Sequence, residues 1–229
     1  MNHISIEGMD GVGKSTVASE FAKKNNFFHE TQKITRLLRV DNQTFKEFVH
    51  KIRTSDNRQL SAMFYIFRCM LDNEDQSVNS VVERTIASLY YFEKDNMSEA
   101  FWNQVILLGT VPRLIFLLYA SPETRFERIK KRNANDPDLK NMEAFVDGYK
   151  DMIAFYKKYN IQYVGINTES LDLDGVVDLC TDIYKKYDAL HSVEEKYEFI
   201  KNMNNLYGVD KKYVNNQIYK LKKRDKDEK

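Results

Sequence analysis

The sequence of 229 residues is poor in three residue types that would each steer it toward a particular class: it has two cysteines, three prolines and eight glycines. Cys69 and Cys180 lie far apart in helix-like surroundings. That excludes a disulfide framework and reads as free thiols in a reducing compartment. So few prolines and glycines disfavour turn-rich β architecture and favour long helices. No stretch approaches the ~18 uninterrupted apolar residues of a membrane-spanning helix, and the opening MNHISIEG has neither a basic leader nor an apolar h-region. A soluble, cytoplasmic protein with no membrane partner is expected. Charge of one sign is missing as well, because 35 Lys and Arg against 34 Asp and Glu leave a net +1. Without a global basic field, no stable nucleic-acid binding is expected. No cysteine or histidine spacing of a metal site occurs.

What is present is a chain that can bury a real core, with 42% hydrophobic and 30% charged residues. Short apolar runs alternate with longer amphipathic segments. The pattern predicts strands at about 2–7, near FFHE, at 80–83, at 113–120 and at 161–167. Helices are expected at about 14–25, through the stretch to 73, from after 83 to about 105, and at 122–132, 142–159 and 172–187. Strands joined by crossovers this long imply an α/β fold, a five-stranded, mostly parallel sheet with helices on both faces. In SPET, Ser121 suits an N-cap, Pro122 a first turn and Glu123 the positive helix end, so the strand before it feeds directly into a helix. We expect one domain over 1–187 and an appended helical tail over 188–229, charged and frayed at its end.

The strongest motif stands near the N-terminus. Gly8-Met9-Asp10-Gly11-Val12-Gly13-Lys14-Ser15 fits G-x-x-x-x-G-K-[ST], follows a strand and opens a helix. Gly8, Gly11 and Gly13 let the backbone curl around phosphate oxygens where side chains would clash. Val12, Lys14, Ser15 and Thr16 complete the ATP-binding set, with Lys14 neutralising the transferring group and Ser15 able to ligate Mg²⁺. A ligand-free glycine turn is the bland alternative. The loop alone specifies nucleotide binding and no reaction, and neither N-K-x-D nor an hhhhDE run accompanies it. Switch and motor functions are thereby disfavoured.

IEGMDGVGKST closely resembles the opening of thymidylate kinases, E-G-x-D-G-x-G-K-[ST], and is similar to that of the related deoxynucleoside kinases. AMFYIFR (62–68), VVERTIAS (81–88), PRLIFLLYASPETRFERIKKR (112–132) and MEAFVDGYKDMIAFYKKYNIQYVGIN follow in the family's order. The resemblance covers roughly residues 3–187 and implies the P-loop kinase fold. Within it, Phe64 and Arg68 match a base-stacking phenylalanine and an arginine that contacts the base. Being i and i+4, they share a helix face, although a packed Phe and a solvated Arg give the same pattern. Glu83 and Arg84 close a β-branched strand, where Glu83 could orient Mg²⁺ and Arg84 hold the acceptor; a plain ion pair is the alternative. Ser88 belongs to the same acceptor-binding element. Asp10 matches a loop aspartate near the acceptor sugar and metal.

Arg125, Arg128 and Arg132 fall at i, i+3 and i+7, suiting a lid that clamps the transferred phosphoryl, with Phe126 and Ile129 turned to the core. A solvated basic face would read alike. Where thymidylate kinases carry R-E-P-G, this chain has His29-Glu30-Thr31-Gln32. Glu30 fits the carboxylate, and in the deoxynucleoside kinases such a glutamate is the base toward a 5′-hydroxyl. The resemblance implies a cytoplasmic enzyme of nucleotide biosynthesis, which can be a homodimer. It would transfer a phosphoryl from Mg·ATP to a deoxynucleoside monophosphate, dTMP to dTDP. A deoxynucleoside kinase, a kinase acting on a modified base within DNA, and a non-enzymatic nucleotide-binding regulator are the alternatives.

Overall fold

The computed structural model describes residues 3–30, 40–72, 79–108, 111–136, 139 and 144–207. Five strands form its centre: β1 (His3–Glu7), β2 (Phe28–Glu30), β3 (Ser80–Glu83), β4 (Leu114–Tyr119) and β5 (Tyr163–Asn167). All pair in parallel, in the order β2-β3-β1-β4-β5. β4 is apolar throughout, whereas β1 alternates Ile4 and Ile6 with the polar His3, Ser5 and Glu7, and both are buried along their whole length, as strands covered on both faces are.

The helices are α1 (Lys14–Asn25), α2 (Asn42–Arg53), α3 (Arg58–Asp72), α4 (Ile86–Glu93), α5 (Glu99–Leu108), α6 (Pro122–Arg132), α7 (Ala144–Lys158), α8 (Leu173–Asp188) and α9 (Val193–Tyr207). The single helix expected after β3 is two. Asn96 N–H closes a turn on Glu93 C=O and the Ser98 hydroxyl accepts from Phe101 N–H, an end signal followed by a start signal. The entry to α6 is as expected, with Ser121 accepting from Thr124 N–H at its start.

Topology positions the site. From β1 the chain crosses by α1 toward the β2 side, whereas from β4 it continues to β5 on the other side, so the direction of crossover reverses between β1 and β4. Open parallel sheets bind ligands outside the carboxyl ends of their strands at such a point. Phe21, Phe116, Phe155, Tyr156 and Trp102 are among the large side chains that fill the layers beneath it. At the far edge, Asn204 of α9 reaches β5, accepting from Gly165 N–H at 2.8 Å and donating to Tyr163 C=O at 2.6 Å.

Candidate active site

The loop between β1 and α1 turns on backbone geometry that only glycine supplies without strain. Gly8 has φ 139° and a Cβ there would lie 2.4 Å from Leu118 C=O; Gly11 has φ 85° and a Cβ would lie 2.7 Å from Arg125 C=O. The loop is thus pressed against β4 and α6. Gly13 is the N-cap of α1, so no side chain competes for the first-turn N–H groups, the groups that hold phosphate oxygens in such loops.

Lys14 is the first residue of α1 and is buried. Its Nζ donates to Met9 C=O at 2.8 Å and to Asp10 Oδ1 at 3.3 Å. Burial, then the nearby Arg84 charge, pushes its pKa down to about 8 against the counter-pull of Asp10. Asp10 also receives the Arg84 guanidinium. Burial opposes its charge, yet Arg84 and Lys14 hold the carboxyl below the usual range.

Beside this cluster, Ser15 Oγ donates to Glu83 Oε2 at 2.5 Å, and the His29 ring lies 3.1 Å from Glu83 Oε1. Burial works against this carboxylate too, but the His29 and Ser15 hydrogen bonds keep its pKa low. Among the described residues no three His, Cys, Asp or Glu side chains converge as a metal cluster. One carboxylate with one hydroxyl is nonetheless a donor set suited to Mg²⁺, which keeps waters and takes phosphate oxygens for its remaining positions. Thr16 is exposed on the same helix turn.

Arg84 follows β3 with φ 65°. The other described non-glycine residues at positive φ are Asn26 and Asn160, which tolerate that region. For an arginine it costs about 1–2 kcal/mol. Its guanidinium is partly open, lies 5.6 Å from the Phe92 ring and binds Asp10.

The arginines of α6 divide. Arg125 is wholly buried and donates from Nε to Asp10 C=O at 2.8 Å. Arg128 donates to Val12 C=O at 3.4 Å, to Thr168 Oγ1 at 3.0 Å and to Thr168 C=O at 3.1 Å. These two brace the phosphate loop. Arg132 is exposed and pairs with Asp136 at 2.9 Å. Ile129 is buried in the core as expected, on the side of α6 that also carries the buried Arg125 four residues before it, whereas Phe126 is only partly buried. Ser88, expected at the acceptor, is buried and donates to Glu7.

Phe64 is half-buried on α3, edge-on to Phe48 at 5.5 Å and to Tyr65 at 5.4 Å between centroids. The side chain of Arg68 lies outside the described residues, as do Thr31 and Gln32 and the side chain of Glu30, whose backbone ends β2 opposite Val82. Sequence reasoning missed Glu7, His29, Tyr149 and Thr168. Glu7 carries a signal in hindsight, a carboxylate inside the otherwise neutral strand HISIE. Tyr149 accepts from Met9 N–H at 3.4 Å and donates to Leu118 C=O, tying α7 to the loop, and nothing in its surrounding pattern marks it.

A family model described as an AAA domain matches residues 4–147, from β1 through the phosphate loop into α7. The chain belongs to this AAA domain family. This AAA domain protein is 28% identical to a UPF0200 protein of Methanocaldococcus jannaschii over 217 residues, 86% of this chain and 96% of the relative. A UPF0200 protein of Methanococcus vannielii is 26% identical over 185 residues, 75% and 90% of the two chains. Among solved structures, deoxyadenosine kinase from M. mycoides with the products dCMP and a flexible dCDP superposes with a TM-score of 0.57 at 19% identity, over 80% of this chain and 99% of that one. The same kinase with bound dATP gives 0.55 at 20% identity, with the same coverage. At these identities the likeness is one of fold, and this AAA domain has the P-loop kinase fold.

Proposed function

We propose that this protein is a phosphotransferase that passes the γ-phosphoryl of Mg·ATP to a deoxynucleoside monophosphate, dTMP giving dTDP. Arg84 carries the reading: a guanidinium held by Asp10 beside the phosphate loop, at the carboxyl end of β3. A monophosphate dianion in a closed site needs such a planar cation, because leaving it unpaired costs several kcal/mol. An acceptor phosphate oxygen attacks the γ-phosphorus, the bond from γ-phosphorus to the bridging oxygen breaks, and ADP leaves with that electron pair. No base is needed, since the attacking oxygen is already anionic. Lys14 and the loop amides hold the donor, and Mg²⁺ at Ser15 and Glu83 would offset the phosphate charge.

A deoxynucleoside acceptor is the second reading, favoured by the likeness in fold to deoxyadenosine kinase and by a glutamate at the end of β2. Its 5′-hydroxyl must lose a proton, and Glu30 is the residue to take it. ADP release over a panel of nucleosides and monophosphates separates the two. Turnover of dTMP that Arg84→Ala selectively removes and Glu30→Gln spares supports the first. Turnover of thymidine or deoxyadenosine alone, with a ~10²–10⁴-fold loss in Glu30→Gln, replaces it with the second.

A further inference from the structure

Glu7 has no place in the transfer chemistry, yet it is a fully buried carboxylate at the end of β1, one residue before the phosphate loop. Three donors converge on it: Thr85 N–H, the Thr85 hydroxyl and the Ser88 hydroxyl. All three belong to the start of α4, where Thr85 is the N-cap and Ser88 lies three residues on. In an ordinary capping box a glutamate at that third position reaches back to the N-cap N–H. Here the third position is a serine, and the carboxylate comes from another strand. The Thr85 hydroxyl makes no cap bond to its own helix, because it too is turned to Glu7.

The residue just before Thr85 is Arg84, in the left-handed region at φ 65°. Backbone there persists only where its surroundings over-determine it, and such strain gathers where a side chain must be aimed. Arg84 N–H is tied to Ile6 C=O at 3.4 Å and Thr85 N–H to Glu7, so two successive amides are drawn onto β1. We propose that Glu7 is a positioning residue: by capping α4 from β1 it holds Arg84 in its left-handed turn and so aims the guanidinium at the acceptor phosphate. The kinetic part of this rests on the reading of Arg84 given above, whereas the structural part does not.

The test separates the two. Arg84→Gly relieves a left-handed backbone and Arg84→Ala does not, while both remove the guanidinium equally. With Glu7 present, the glycine variant is expected to melt ~2–4 °C above the alanine variant. That gap closes in Glu7→Leu, which keeps the volume without acceptors. It also narrows when Thr85→Ala and Ser88→Ala together strip two donors from the carboxylate without touching β1. In the enzyme with Arg84 intact, Glu7→Leu raises the acceptor KM ~10–10²-fold and leaves the Kd for a non-hydrolysable ATP analogue near its starting value, and Glu7→Gln, which keeps a carbonyl for Thr85 N–H, largely restores it. A melting gap that persists in whichever of the Glu7 and Thr85/Ser88 variants folds overturns the proposal. A closed gap in a protein that phosphorylates nothing upholds Glu7 and overturns the kinase reading alone.

Discussion

Lys14 combines two properties that pull apart, a burial that opposes its charge and, in the proposed transfer, a role that requires it. Lys14→Ala should lower turnover by ~10²-fold or more, as for other electrostatic groups aimed at a transferring phosphoryl. Near wild-type turnover would remove Lys14 from the chemistry. The pH dependence follows from the pKa of about 8. Below it the ammonium is present in the free protein; above it the proton must be taken up again on binding. Affinity for a non-hydrolysable ATP analogue is therefore expected to be flat from pH 7 to 8 and then to fall by at most about tenfold per pH unit, a fall absent in Lys14→Ala. Stability moves oppositely. The unfolded lysine, with its ordinary value of 10.5, binds more protons than the folded one from pH 8 upward. The cost of burying the charge is thus relieved as pH rises through that window, and Lys14 offers no explanation for a melting temperature that falls there.

At the scale of elements, the phosphate loop depends on its contacts with β4 and α6. Gly11→Ala would set a methyl 2.7 Å from Arg125 C=O in a left-handed backbone. It should weaken nucleotide binding and lower the melting temperature together, which isothermal titration and calorimetry would show. Phe64 poses the opposite question. Its edge contacts with Phe48 and Tyr65 make it part of an aromatic set between α2 and α3. If that set receives a base, Phe64→Ala loses ~1–3 kcal/mol of stacking and raises the acceptor KM without changing that of ATP. A fall in melting temperature with both constants rising would make it a packing residue.

The same scale shows what could be read in advance. The glycine-and-lysine loop, the apolar strands and the Ser121 entry into α6 are local patterns, set by residues adjacent in sequence. The division among the arginines of α6 is not local. A spacing of three and four says that Arg125, Arg128 and Ile129 are neighbours, but only the approach of Asp10 and Thr168 from other elements decides which guanidinium is buried. Glu7 and His29 escaped notice for the same reason, since the partners of Glu7 lie 78 and 81 residues away and that of His29 54 residues away.

Over the whole molecule, sheet edges are treated differently on the two sides. β2 is three residues long, too short to template much pairing. β5 is longer, and its outward Gly165 N–H and Tyr163 C=O are taken by one side-chain amide, that of Asn204. An asparagine side chain is an amide like the peptide unit itself, so α9 supplies the bonding of a single link of a sixth strand. The helix therefore works as a stopper on a growing end. Asn204→Leu, which keeps the bulk but not the amide, should leave the monomer folded by circular dichroism while light scattering rises with protein concentration, as copies add strand to strand along β5. A protein lacking the chain beyond residue 192 should do so at lower concentration still, a solubility defect created at the end of the chain farthest in sequence from the phosphate loop.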